Sequence, residues 1–130
     1  MPEFEKRAWW NLCVAVSAVV VFAALWIATR KYVASTSAFG ILGLSGCPFF
    51  RLKPPARDER DREIDRKSMI AAMSVFWILL VIGSVGMGAA LGWDTLVRVP
   101  VWAFSEPIWY GWIVILTVRS AVSIRMYRAG

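Results

Sequence analysis

The stretch Arg51-Leu52-Lys53-Pro54-Pro55-Ala56-Arg57-Asp58-Glu59-Arg60-Asp61-Arg62-Glu63-Ile64-Asp65-Arg66-Lys67 decides the fold. It is the one run dense in charge in a chain of 130 residues, 58% of them apolar, and it separates two pairs of long apolar segments. A soluble domain of this size has too much surface per unit volume to bury so much apolar area. The bilayer must act as solvent instead. Its hydrocarbon core of about 30 Å asks for about 20 apolar residues per helix. Spans are therefore expected at about 9–29, 32–50, 68–91 and 105–124, with 51–67 as the charged connection. The expected fold is an all-α integral membrane bundle of four transmembrane helices in two hairpins, making one domain over residues 1–130.

Charge orients these spans. Short cytoplasmic loops are enriched in Lys and Arg. With four spans, one side collects Lys6, Arg7, Arg51, Lys53, Arg57, Arg60, Arg62, Arg66, Lys67, Arg119, Arg125 and Arg128, and the other only Arg30, Lys31 and Arg98. Both termini and the charged connection are accordingly expected in the cytoplasm, in a multi-pass protein of the cell inner membrane. Dropping the weak second span, with its Gly40, Gly43, Gly46 and Pro48, would put the charged run outside against the rule. Trp9 and Trp10 mark the cytoplasmic entry, while Trp26, Trp93, Trp102, Trp109 and Tyr110 gather near the other face. The first apolar run is too long for a signal-peptide h-region and lacks a good cleavage site, so it reads as a retained anchor.

From Arg57 the charged run has helical spacing. Pro54-Pro55 ends whatever precedes it, Asp58 with Arg62 and Glu63 with Lys67 stand in the favourable i,i+4 order, and the helix is expected to continue into the third span. Residues Arg57, Asp58, Glu59, Arg60, Asp61, Arg62 and Glu63 form a candidate interaction face. Asp58, Asp61 and Asp65 share one helix face, but interleaved arginines compete for them, so no metal site is expected. Alternating signs also make a poor nucleic-acid surface, and no nucleic-acid partner is expected.

The start Phe4-Glu5-Lys6-Arg7-Ala8-Trp9, the run from Arg57 to Ser68 and the tail Arg125-Met126-Tyr127-Arg128-Ala129-Gly130 together resemble a family of small four-helix prokaryotic membrane proteins known as a domain of unknown function. Asp58-Glu59-Arg60-Asp61 is the most specific part. The resemblance implies four spans with the charged run between hairpins, and brings no catalytic or binding residues. Members of that family place an acidic residue well inside the last span. Here the nearest candidate is Glu106.

Glu106 and Arg119 are the candidate intramembrane charges. A last helix starting at Val101 buries Glu106. One starting at Ser105-Glu106-Pro107 uses Ser105 as cap, sets Glu106 against the positive helix end and gives Pro107 a first-turn place. The second register costs less, because Arg119 can snorkel where a glutamate cannot. Ser84, Gly88 and Gly92 form a small-residue row suited to helix packing. Cys13 and Cys47, expected at similar depth, read as small apolar packing residues. The chain has no histidine, and neither a nucleotide-binding motif nor zinc-ligand spacing. No enzyme activity and no cofactor are expected. The expected function is a small non-catalytic accessory or regulatory subunit, in a homo-oligomer or a larger membrane complex, with the lipid bilayer as its surroundings. The alternative is a minimal oligomeric transporter or channel for a proton or small ion.

Overall fold

The computed structural model describes residues 3–47, 58–94 and 96–129, and it is all helical. Helix α1 covers Glu3–Thr29, α2 Tyr32–Ser35, a 3-10 segment Thr36–Leu44, α3 Glu59–Leu91, a short 3-10 turn Val101–Phe104, and α4 Glu106–Ala129. Three helices, α1, α3 and α4, are long and apolar enough to cross a membrane. Arg57 and the expected end of the second span at 48–50 lie outside the described residues.

The second apolar stretch departs from the expected regular span. It is one turn of α-helix followed by nine residues of 3-10 helix, an unusual length for that conformation. Its residues explain the choice. A three-residue period places Ser37, Gly40 and Gly43 outside and buries Ser35 with Ala38 and Phe39 with Leu42. The Thr36 and Ser37 hydroxyls donate to the carbonyls of Val33 and Ala34, occupying backbone acceptors that lipid could not satisfy. At about 2.0 Å per residue in its 3-10 part, Tyr32–Leu44 spans about 24 Å, more than an α-helix of that length would.

A tight turn joins α1 to α2. Arg30 takes a positive φ of 55° and its N–H donates to the carbonyl of Trp26, while Thr29 Oγ1 accepts from the Lys31 N–H. The second stretch then runs back along α1. Phe22 stacks on Phe39 at 5.2 Å, Trp10 Nε1 donates to the carbonyl of Leu44, and the Asn11 side chain accepts from the Gly46 N–H. It thus returns to the level of the first turns of α1.

α4 is the shared neighbour: α1 packs along it on one side and α3 on the other, with no extensive packing between α1 and α3. The core joins Val14, Ala15 and Ala18 of α1 to Phe39, Leu42 and Leu116, with Phe22, Ile41 and Ile113 against them. On the other side α3 buries Ile64, Ser68 and Ala72, spaced by four, and α4 buries Gly111, Leu116, Ser120 and Ile124. Small residues let the backbones approach where lipid supplies no hydrophobic drive. A Cβ at Gly111 would lie 2.7 Å from Phe76 Cε2.

The contacts Asp61–Tyr127, Asp65–Arg119 and Phe76–Gly111 fix an antiparallel register of α3 on α4. Extended upward, it sets Glu106 level with about Leu80, so α3 overshoots the start of α4 by about ten residues, or roughly 15 Å. Replacing Gly111 with leucine should cost about 1–3 kcal/mol by overpacking at the Phe76 contact. Gly86→Leu, at a site with nothing within 4 Å, should leave the melting temperature of the purified chain unchanged. Thermal unfolding in mild detergent checks both.

Candidate functional site

The charged run folds as the first turns of α3, and its carboxylates have three different destinations. Asp58 is the N-cap, its Oδ1 accepting from the Asp61 N–H at 2.8 Å, which satisfies a donor left free at a helix start. Asp61 Oδ1 accepts from the Tyr127 hydroxyl at 2.6 Å, and Asp65 Oδ1 accepts from the Arg119 guanidinium at 2.5 Å. The shared face of Asp58, Asp61 and Asp65 is real, and two of the three turn to α4. Glu59, Arg60, Arg62 and Glu63 remain exposed. Glu63 pairs with Lys67 at 2.6 Å, and the hydrogen bond and charge of Lys67 hold its carboxyl below the ordinary range. That contribution is present above the ordinary carboxylate pKa and is lost as the pH falls through the lowered value.

Arg119 therefore has a specific partner. Its position in the sequence predicts snorkelling toward headgroups, whereas α3 brings Asp65 to it, both side chains a little over a third exposed. Around this pair the ends of α1, α3 and α4 and the turn at Gly46 enclose a partly open cavity of about 270 Å³. Its polar wall carries Arg7, Arg119, Asp61, Asp65, Ser123 and Tyr127. The Arg7 guanidinium lies 5.7 Å from the Phe4 ring centroid. Nearby, Arg128 lies over the Trp9 ring at 5.3 Å and 3.7 Å from the buried Glu5, so the two ends of the described chain meet.

At the opposite end, Glu106 opens α4 and is half-buried. Pro107 follows in the first turn, and the Ser105 carbonyl accepts from the Ile108 and Trp109 N–H groups. The Tyr32 hydroxyl donates to Glu106 Oε2 at 2.9 Å and lies 2.6 Å from the Tyr110 hydroxyl, which then donates to it. Phe22 and Phe39 close around this group edge-on. Glu106 opens α4 and Arg119 lies past its midpoint, roughly 20 Å away at about 1.5 Å per residue, so the structure keeps them apart.

The small-residue row on α3 is divided. Ser84 turns its hydroxyl to the Leu80 carbonyl, Gly88 lies under the Trp93 indole, and Gly92 ends the helix with a φ of 87°. Gly83 and Gly86, which sequence reasoning passed over, have open space beside them. They continue the face of Ser68, Ala72 and Phe76, a relation that counting at 100° per residue could have shown. Cys13 and Cys47 are free and exposed.

Three long apolar helices, an apolar surface and charged side chains gathered toward the two ends define a helical membrane protein. The chain belongs to the family described as a predicted membrane protein, DUF2178, whose pattern matches residues 6–127. No curated protein and no solved structure matches it.

A double-mutant cycle on Asp65→Asn and Arg119→Gln should give a coupling of about 1 kcal/mol, the upper part of the range for partly exposed pairs, and a larger one than the same cycle on the exposed pair Glu63 and Lys67. Denaturant or thermal titrations in detergent read both. Equal couplings would mean that Asp65 does not serve Arg119 specifically.

Proposed function

We propose that this chain is a non-catalytic accessory subunit of the inner membrane, crossing it four times with both termini and the charged start of α3 in the cytoplasm. The return of Tyr32–Leu44 to the level of Trp10 and Asn11 supports four crossings, because the charged run then begins on the same side as Lys6 and Arg7. The acidic groups support a structural reading. Asp58 caps, Asp61 and Asp65 tie α3 to α4, and Glu106 is held by Tyr32.

One observation carries the accessory role. The face of α3 that packs on α4 continues past the start of α4 through Gly83 and Gly86, where it meets nothing in the described chain. A partner transmembrane helix seated there would gain the close backbone approach that drives association in lipid. Adjacent Leu79, Ile82 and Met87 supply the apolar rim. A minimal transporter is the second reading, favoured by the Tyr110–Tyr32–Glu106 chain of hydroxyls ending on a carboxylate.

Gly86→Leu should leave folding intact and reduce recovery of a partner, on gentle purification from native membranes, by about tenfold, as a loss of about 1.4 kcal/mol requires. Recovery equal to that of the unaltered chain counts against the α3 face. A species cross-linked through Gly86→Cys to a second copy alone would make the occupant this chain itself. Proton flux in proteoliposomes that disappears in Glu106→Gln would move the assignment to the transporter. Labelling Arg60→Cys and Asp94→Cys in a Cys-free background should give reaction from opposite sides of the membrane.

A further inference from the structure

The cavity at the charged end is lined by both signs of charge. Arg7 and Arg119 face it with Asp61 and Asp65, and Ser123 and Tyr127 add hydroxyls. Two guanidinium groups and two carboxylates leave the wall close to neutral, so an anion alone finds as much repulsion as attraction there. A ligand carrying a positive and a negative group finds complementary partners for both.

Arg119 and Asp61 have bonding capacity left. A guanidinium offers five N–H donors in a fork suited to phosphate, and Arg119 commits its NH2 nitrogen to Asp65. An ionised carboxylate has about four acceptor positions over two oxygens, and Tyr127 occupies Asp61 at Oδ1. Ala8, Ile64 and Leu116 give the same cavity apolar wall. The cavity also lies where the apolar parts of α1 and α4 give way to charge. Tryptophans 9 and 10 and the Asp65–Arg119 pair mark that level, and it is the depth of phospholipid headgroups.

We infer that this cavity is a binding site for the headgroup of a phosphate- and ammonium-bearing membrane phospholipid, with Arg119 taking the phosphate and Asp61 the ammonium. A primary ammonium is preferred over a trimethylated one, since only the former donates hydrogen bonds to the carboxylate. The headgroup bridges the ends of α1, α3 and α4, and binds more tightly than that of an anionic lipid lacking the ammonium. The site needs only that this end of the bundle lies at a membrane interface, so it stands apart from the accessory role proposed above.

Native mass spectrometry of the full chain, in mild detergent with equimolar phosphatidylethanolamine, phosphatidylglycerol and phosphatidylcholine, tests the assignment. The ethanolamine lipid should be retained over each of the others by about tenfold, the discrimination expected of a hydrogen bond to a charged group. Asp61→Asn should bring the ethanolamine-to-glycerol ratio to about one through loss of the charged acceptor. Ser123→Trp, which fills the cavity and keeps its charges, should lower retention of all three lipids. A melting temperature equal to that of the unaltered chain establishes that Asp61→Asn is folded, should Ser123→Trp not be. Equal retention of the three lipids by the unaltered chain, or an unchanged ratio in Asp61→Asn, overturns the proposal. Displacement of lipid by millimolar soluble phosphoethanolamine would overturn it too, by making the source a free metabolite.

Discussion

Arg119 needs a counter-charge, and much of the architecture follows from how it gets one. A guanidinium on an apolar membrane-crossing helix is costly unless it reaches water, headgroups or a carboxylate. α4 is that helix, the one element against which both α1 and α3 pack. The carboxylate arrives because α3 does not begin at the membrane surface. Its 33 residues include a charged start capped by Asp58, and at about 1.5 Å per residue the whole helix is nearly 50 Å long. The added turns hold Asp65 beside Arg119 and Asp61 beside Tyr127. Those contacts set the α3–α4 register, which brings Phe76 onto Gly111 and leaves the far end of α3 beyond the start of α4.

The long apolar helices were legible because composition and length report directly on the bilayer. The start of α3 close to Asp58, its unbroken run into apolar sequence and the start of α4 at Glu106 were legible from local rules for helix ends. Less could be read about the second stretch. Its glycines and serines weakened the expected span, but their three-residue period was masked by a search at spacing four. The pairing of the carboxylates lay further out of reach. Asp58, Asp61 and Asp65 share a face by counting alone, yet whether that face meets water or α4 depends on how α3 is rotated. Rotation is decided by Ile64, Ser68 and Ala72, small and apolar residues that look unremarkable beside charged neighbours. The conspicuous row Ser84, Gly88, Gly92 went the other way, taken up by the chain's own backbone and by Trp93.

Two polar sites remain, one at each end of an apolar bundle, and they differ in kind. At the far end Tyr32, Tyr110 and Glu106 form a closed sequence of hydrogen bonds packed against Phe22 and Phe39. Every polar atom named there is directed at another, so the group works as a clasp between the start of the second stretch and the start of α4. At the charged end the pairs Asp61–Tyr127 and Asp65–Arg119 border an open volume instead of filling it. A clasp needs no cavity, and lipid penalises polar walls that nothing satisfies. Water or a headgroup must meet those walls, and of the two the headgroup also covers the apolar wall formed by Ala8, Ile64 and Leu116. The same asymmetry separates the two ends of α3: one end is fixed to α4 by charge, and the other extends past it with glycine uppermost, open to another helix.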